Sequence, residues 1–506
     1  MKKKLTKVGV LVLAVVVSVG MMASCGSTSK SKSDNAVVVA VDADYNNLNP
    51  CTMSTTEESR TNDQIYDTLL AKNNDDQTKL ESRVAKKWTT SKDGKCYTFY
   101  LRKGVTFQNG TKVTAKDVKF SLGQFKKSEY QGSVVDGYSH STIVNDYEIK
   151  VYTTSVYAPF LANMSQMYIM SKDYYNKVGA KTFAQKPIGC GPYKFSSHED
   201  GSKWILKSYS KYYRDEASIK KITFKVIADA SSKAVGLQTG EVDFADLSDA
   251  SAYSQVKSKK NVKVEKIDQT NFAFVAMNTQ KKPYNNVKFR QAVNYAVDRK
   301  ALVKSVAEGL GDPNSNLLSR DRFGYSKSEK QYSYDKKKAK ALLKECGITG
   351  TYDLGTMYVA EKYKSMAQVI QDELKAVGLK TNIEILEFNT YLSKLQQGDF
   401  GITCLQMDLN GDTQQVSMAL TKQYIGMANN ARWSDPKVEN WFDQAVQTIN
   451  KKDREALYVK IFSYVQDQAV YCVLYNPTLL YAHNNELTIP TIPNDGSYHV
   501  YDFSWE

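Results

Sequence analysis

The 506 residues, 42% of them hydrophobic, are too many for one typical domain and enough for two or three substantial cores, so a multi-lobed globular protein is expected. The formal charge is +14, and without the four leader lysines Lys2, Lys3, Lys4 and Lys7 it is +10. That excess is spread along the chain with no arginine-rich tract or nucleic-acid motif, which argues against a nucleic-acid partner and favours a basic face near anionic lipid headgroups.

Residues 1–24 read as an export signal: a lysine-rich start, an apolar core from Val8 to Met22, then small residues. The run Met22-Ala23-Ser24-Cys25-Gly26 resembles a bacterial lipobox, which implies that Cys25 becomes the lipid-modified (palmitate-bearing) N-terminus on a flexible tether, residues 25–35. No other segment is long and apolar enough to span a bilayer. The six further cysteines, Cys51, Cys96, Cys190, Cys346, Cys404 and Cys472, show no C-x-x-C spacing, so buried free thiols are expected.

Ala36 to Val41 reads as a strand, followed by the loop DADYNNLNP, and Asp63 to Leu70 has helical spacing. In residues 79–122, Tyr97, Phe99 and Leu101 alternate on a strand face, and Asp93-Gly94 and Asn109-Gly110 are hairpin turns. Thr114 caps a helix in which Asp117 faces the first-turn amides and Val118, Ser121, Leu122 and Phe125 point inward. Short strands follow over 134–154 and a helix over 157–162. In PIGCGPYKF, Gly189 and Gly191 allow backbone geometry that a Cβ would forbid; a phosphate cradle is discounted because no Lys-Ser/Thr follows and a strand comes next. Strands over 222–227 and 241–247 flank a helix over 231–239.

The segment 271–303 organises the rest. Phe272 to Met277 is an apolar run of strand length that Pro283 interrupts; Asn285 or Asn286 then caps a helix burying Phe289, Ala292, Val293, Ala296 and Val297, and Asp298 caps a second that Gly309 or Gly311 ends. Beyond it come a helix over 334–347, a strand in LGTMYVA, and a helix-Gly378-strand unit over 366–388 that reads as a right-handed crossover. A further helix leads to the buried strand Gly401 to Met407, and Val470 to Tyr475 reads as a second crossing strand.

The run MNTQKKPYNNVKFRQAVNYAVDRKAL is similar to a segment of the peptide/nickel/opine-type (family 5) extracytoplasmic solute-binding proteins of ABC importers, where it begins the second lobe. Residues 79–122, the G-x-GPY hairpin at 187–213 and the Trp-x-Asp-Pro segment at 433–436 carry the same resemblance. It implies an α/β, two-lobed periplasmic-binding-protein-like (type II) fold with two hinge strands. The first lobe is then 36–270 plus 475–506, with an inserted subdomain at about 50–185, and the second is 271–474.

Catalysis finds little support. The four histidines, His140, His198, His483 and His499, are far apart in sequence, no G-x-S-x-G or H-E-x-x-H run occurs, and no spacing suits a metal or cofactor. The expected activity is capture of a solute, most simply a short peptide, between two lobes of a monomer, and delivery to permease subunits at the outer face of the cell membrane. An oligosaccharide, opine or nickel-complex binder on the same fold, or an adhesion or chaperone-like surface protein, is the alternative. A peptide would add a strand at the edges Asp44 to Asn46 and Cys404 to Met407, which nominates Tyr45, Asn46, Gln406 and Met407. Phe388, Tyr391 and Trp433 are candidate pocket walls, or core aromatics. Relatives place an aspartate after the Gly401 to Met407 strand, which implies that Asp408 receives the ligand's amino terminus, with Asp412 as competitor and a turn-capping role as the bland reading.

Overall fold

The computed structural model describes residues 30–320, 322–407 and 412–506, so Cys25 and Asp408 lie outside the described residues. A large sheet of ten strands runs through the molecule. Its order is Ile402–Met407, Phe272–Met277, Tyr471–Asn484, Phe244–Asp246, Ala36–Val41, Lys221–Val226, Lys203–Ser208 and Tyr193–Glu199, with Val262–Asp268 and Gly311–Pro313 also paired to Tyr471–Asn484.

Tyr471–Asn484 is longer than the six-residue crossing strand expected, and its length explains how two lobes share one sheet. Tyr471 to Tyr475 pair with the outbound strand Phe272–Met277, whereas Thr478 to Asn484 pair with Val262–Asp268. Pro477 lies between these stretches. A proline has no ladder donor and would break an interior strand, but here it stands where the strand changes partners. Asn476 stitches the same point, donating from Nδ2 to the Asn271 carbonyl at 2.7 Å and accepting from Asn314 Nδ2 at 2.8 Å.

The cores divide at the crossing. One cluster draws only on residues between Phe272 and Tyr475; a second draws on Val37 to Ile267 and Leu479 to Phe503, and a small third, from Ala40 to Ala482, lies on the same side as the second. In the first lobe, Ala85–Thr90, Cys96–Leu101, Glu148–Thr153 and Tyr138–Asn145 form a four-stranded antiparallel sheet beside the helix Ala115–Lys126. That helix starts with a capping box between Thr114 and Asp117 and buries Val118, Ser121, Leu122 and Phe125. In the second lobe, Tyr352–Ala360 and Leu379–Leu386 are parallel and are joined by the helix Lys364–Lys375, as a βαβ crossover requires.

The helix expected at Asp63 to Leu70 lies earlier, at Thr56–Ile65. Thr55 accepts from the Glu58 amide while Glu58 accepts from the Thr55 amide, and this capping box fixes the start about two turns upstream; Tyr66 is extended and ends it. The helix expected at 157–162 is the single turn Phe160–Asn163, since Pro159 is its first capping residue. Gly189 and Gly191 have ordinary φ; what they provide is close approach. A Cβ on Gly189 would lie 2.1 Å from the Ile65 carbonyl oxygen, and one on Gly191 2.5 Å from that of Tyr66. The six described cysteines are free; Cys51, Cys190, Cys404 and Cys472 are buried, but Cys96 and Cys346 are only partly so. No helix among the described residues is long and apolar enough to cross a membrane.

Candidate functional site

The hinge is clamped from the second lobe. Asn286 caps the helix Val287–Ala296 and Asp298 caps Arg299–Val306, as the spacing predicts. Those helices carry two buried arginines that periodicity did not single out. Arg290 donates to the carbonyls of Tyr284, Gln468 and Ala469, and Arg299 to those of Val473, Asn294 and Tyr332. Burial pushes Arg290 down to about 10. Both guanidiniums hold the chain as it enters the return strand.

On the first-lobe side, the opening strand Ala36–Val41 delivers Asp42 to Asn47 toward the cleft. Fully buried Glu58 pins this loop: Oε1 accepts from the Asn46 and Asn47 amides at 3.1 and 3.0 Å, and Oε2 from those of Ser54 and Thr55. The Tyr45 amide bonds Asp44 Oδ1, and Asp44 also accepts from the Gly201 amide and meets His198 Nε2 at 2.8 Å. The Tyr45 and Asn46 amides of the edge expected at Asp44 to Asn46 are thus already engaged within the first lobe. Tyr45 is buried, 4.5 Å from the His198 ring and edge-on to Trp204, so it packs; Asn46 is exposed.

In the second lobe, Ile402–Met407 is the last strand of the large sheet, paired with Phe272–Met277 on one side only. Gln406 is exposed and donates to the Tyr475 hydroxyl at 3.2 Å; Met407 is half-buried opposite Phe272. Tyr391 lies fully inside the core, its hydroxyl against Thr403 and the Cys404 carbonyl, so it supports this strand from below. Phe388 is 41% exposed next to Tyr391, with Lys362 Nζ 4.4 Å above its ring. Trp433 packs at the other end of the crossing: Ala431 beside it bonds Thr279, just past the Met277 end of the outbound strand, whereas Met407 pairs with Phe272. Asp412 caps the turn Thr413–Ala419 through the Gln414 amide at 2.9 Å, and its carbonyl accepts from Arg322. The structure therefore gathers Gln406, Met407, Tyr391 and Phe388 at one strand end and leaves Trp433 apart.

In the first lobe lie two adjoining cavities of about 280 and 640 Å³, the larger one reaching the crossing at Asn271, which share Met53, Ser59, Asp63, Gln131, Gln166, Asp495 and Ser497. Both are near or within the size range of small-ligand sites. Asn271 of the outbound strand reaches the larger one, and its side-chain oxygen is buried with no hydrogen bond. Arg60 lines it too, held by the Tyr481 hydroxyl at 2.8 Å and by Asp246 at 3.5 Å. Burial raises Asp63 above the usual carboxylate range, against the pull of His499, and holds Lys72 below the usual lysine value. Asp495 in its own lobe and Asp412 in the other oppose that lowering of Lys72. The lobes also meet where the Ala158 amide donates to the Val446 carbonyl at 2.6 Å and Lys451 Nζ to Thr78 Oγ1 at 2.8 Å. Among the described residues, no group of three His, Cys, Asp or Glu side chains is placed to hold a metal ion.

Residues 79–424 match the family model described as bacterial extracellular solute-binding proteins, family 5. The chain is 28% identical over 460 residues to the dipeptide-binding protein of Escherichia coli K12, covering 84% of this chain and 86% of that one. It is also 28% identical over 496 residues to heme-binding protein A of Haemophilus influenzae, covering 89% and 90%. Among solved structures it is similar to the ABC transporter-associated periplasmic binding protein DppA of Helicobacter pylori in complex with the peptide STSA, with TM-score 0.77, 27% identity, and coverage of 93% and 98%.

Proposed function

The chain belongs to this family of bacterial extracellular solute-binding proteins, the substrate-binding components of ABC importers, and from that premise we propose that its solute is a short peptide held between the lobes. The observation that carries the peptide reading is the Leu405 to Met407 end of the strand Ile402–Met407, which no further strand pairs on its outer side among the described residues, whereas Thr403 donates to the Tyr358 carbonyl and the Cys404 carbonyl accepts from Tyr391. An extended peptide added there is bound through its main chain, which reads no sequence, while neighbouring cavities take side chains. The similarity to a dipeptide-binding protein and to a peptide-loaded binding protein supports the same class.

In this reading the first lobe is 36–270 plus 475–506 and the second 271–474, and closure follows contacts made from both. Asp408, directly after the edge strand, takes the ligand's α-ammonium, and Cys25 carries the lipid that keeps a monomer at the outer face of the cell membrane.

Thermal denaturation against a peptide library tests the function. A ligand at 100 times its dissociation constant stabilises by about 2.7 kcal/mol, so at least one peptide should raise the midpoint by several degrees. Stabilisation by heme or an oligosaccharide and by no peptide would move the ligand class and leave the fold intact. With a bound peptide in hand, Asp408→Asn should weaken the free-amine form about tenfold or more and leave the N-acetylated form unchanged. Equal losses for both forms would remove the amine-receptor role.

A further inference from the structure

The last three strands of the large sheet carry a row of like charges on one face. Lys221 of Lys221–Val226 stands directly opposite Lys207 of Lys203–Ser208, and Lys207 directly opposite Lys194 of Tyr193–Glu199. Residues directly opposite across antiparallel strands share a face, and the other face here is core, with Ile222, Phe224, Leu206 and Trp204 fully buried. Further along the lysine face, Lys203 and Lys225 form a second cross-strand pair, but each has a carboxylate of its own, Glu199 at 3.0 Å and Glu241. Lys194, Lys207 and Lys221 have no ion pair among the described residues. Helices cover the same face only nearer the crossing, where Ala234, Leu237, Ala252 and Val256 pack with Ala40 and Ala482. Lys194 and Lys207 are exposed and Lys221 is half-buried. Like charges set opposite one another in a sheet are destabilising, so the fold itself gains nothing from the row.

The row also lies where the chain enters the lobe. Ala36, the first residue of the opening strand, is paired directly with Lys221. Cys25 is five residues before Lys30, and five residues reach at most about 17 Å. A lipid on Cys25 would therefore keep the membrane surface close to this corner, and negatively charged headgroups are the partners that the row lacks. We propose that the face carrying Lys194, Lys207 and Lys221 docks on anionic lipid headgroups at the outer surface of the cell membrane. The strand Ile402–Met407, at the opposite end of the sheet order, is left clear of that contact. The inference goes beyond the solute reading and shares with it only the Cys25 anchor.

Co-sedimentation with vesicles tests it on the mature chain with Cys25→Ala, which keeps every described residue and carries no acyl chain. The protein should bind phosphatidylcholine vesicles containing about one-third phosphatidylglycerol and should not bind phosphatidylcholine alone. Salt at about 1 M, where screening acts within about 3 Å, should release it. Each lysine near such a surface contributes about fivefold in affinity, so Lys194→Gln, Lys207→Gln and Lys221→Gln together should weaken binding about 100-fold. These changes relieve repulsion across the strands and put folding at no risk. The same charge removed in the other lobe, by Lys337→Gln, Lys340→Gln and Lys344→Gln on the exposed side of the helix Lys336–Glu345, should change binding by less than about threefold. Binding to neither kind of vesicle, equal binding to both, or equal losses in the two triple variants would each overturn the docking face. A wild-type mature chain without lipid would count against the anchor alone, since the Cys25→Ala chain reads the face without it.

Discussion

Arg290 and Arg299 at the crossing are buried, whereas Lys72, Asp63 and Asp495 in the first-lobe cavity are only partly so, and the two groups of charges are satisfied in different ways. At the crossing each guanidinium is surrounded by carbonyls of the chain it clamps, and the strands themselves are buried from Phe272 to Met277 and from Tyr471 to Asn476. In the cavity the charges are half-buried, and one oxygen each of Asp63 and Asp495 and the Lys72 ammonium make no hydrogen bond among the described residues. A satisfied polar group holds one geometry, whereas an unsatisfied one lowers its energy only when something arrives. The crossing is thus held in one geometry, whereas the cavity is free to respond to what enters it.

Removing a hinge clamp should have the largest effect. Arg299→Ala strips donors from the Val473, Asn294 and Tyr332 carbonyls and leaves a hole, so unfolding in urea should show a loss of about 3–5 kcal/mol. A loss below about 1 kcal/mol would mean that water replaces the clamp and the contrast with the cavity fails. Gly189→Ala pushes a Cβ into the Ile65 carbonyl behind the cavity wall, and should cost about 1–3 kcal/mol while weakening ligand binding through displacement of Tyr66.

Glu329 sharpens the comparison because it is a buried exception in the second lobe. Its Oε2 accepts from Asn316, its Oε1 has no partner, and burial raises its carboxyl to about 7 from 4.5. The folded value lies above the unfolded one, so its stabilising contribution is full below about pH 4.5 and is lost as pH rises through about 7. Wild-type stability should fall by about 1–3 kcal/mol across that window, and Glu329→Gln should flatten the fall. Glu373, also raised to about 7 by burial, and the raised carboxyls of Asp63, Asp117 and Asp136 contribute to the slope that remains. Phe388→Ala should matter least for stability, within about 0.5 kcal/mol, because the ring is 41% exposed, yet it should change the peptides preferred if the ring borders the ligand.

What the residues alone made legible follows the reach of each interaction. The helices Val287–Ala296 and Arg299–Val306 were readable because Asn286, Asp298 and the apolar spacing act within a few residues. The roles of Arg290 and Arg299 were not, since their acceptors lie 178 and 174 residues away. The Glu58 staple was within reach: Thr55-x-x-Glu58 is a capping-box signature, and it would have corrected the helix start. Tyr45 and Tyr391 show the limit for aromatics, since the same side chain suits a core or a pocket until its neighbours are known. The cavity is beyond sequence reasoning altogether, because Asp63 and Asp495 come from opposite ends of the chain.

Amide hydrogen exchange, with and without a bound peptide, tests the central claim that a fixed hinge lets ligand close the lobes. The amides of Phe272–Met277 and Tyr471 to Tyr475 should be equally protected in both conditions, while the Ala158 amide, which reaches across to Val446, should be protected only with ligand. Protection of Ala158 that does not depend on ligand, or crossing strands whose exchange changes when ligand binds, would contradict the account.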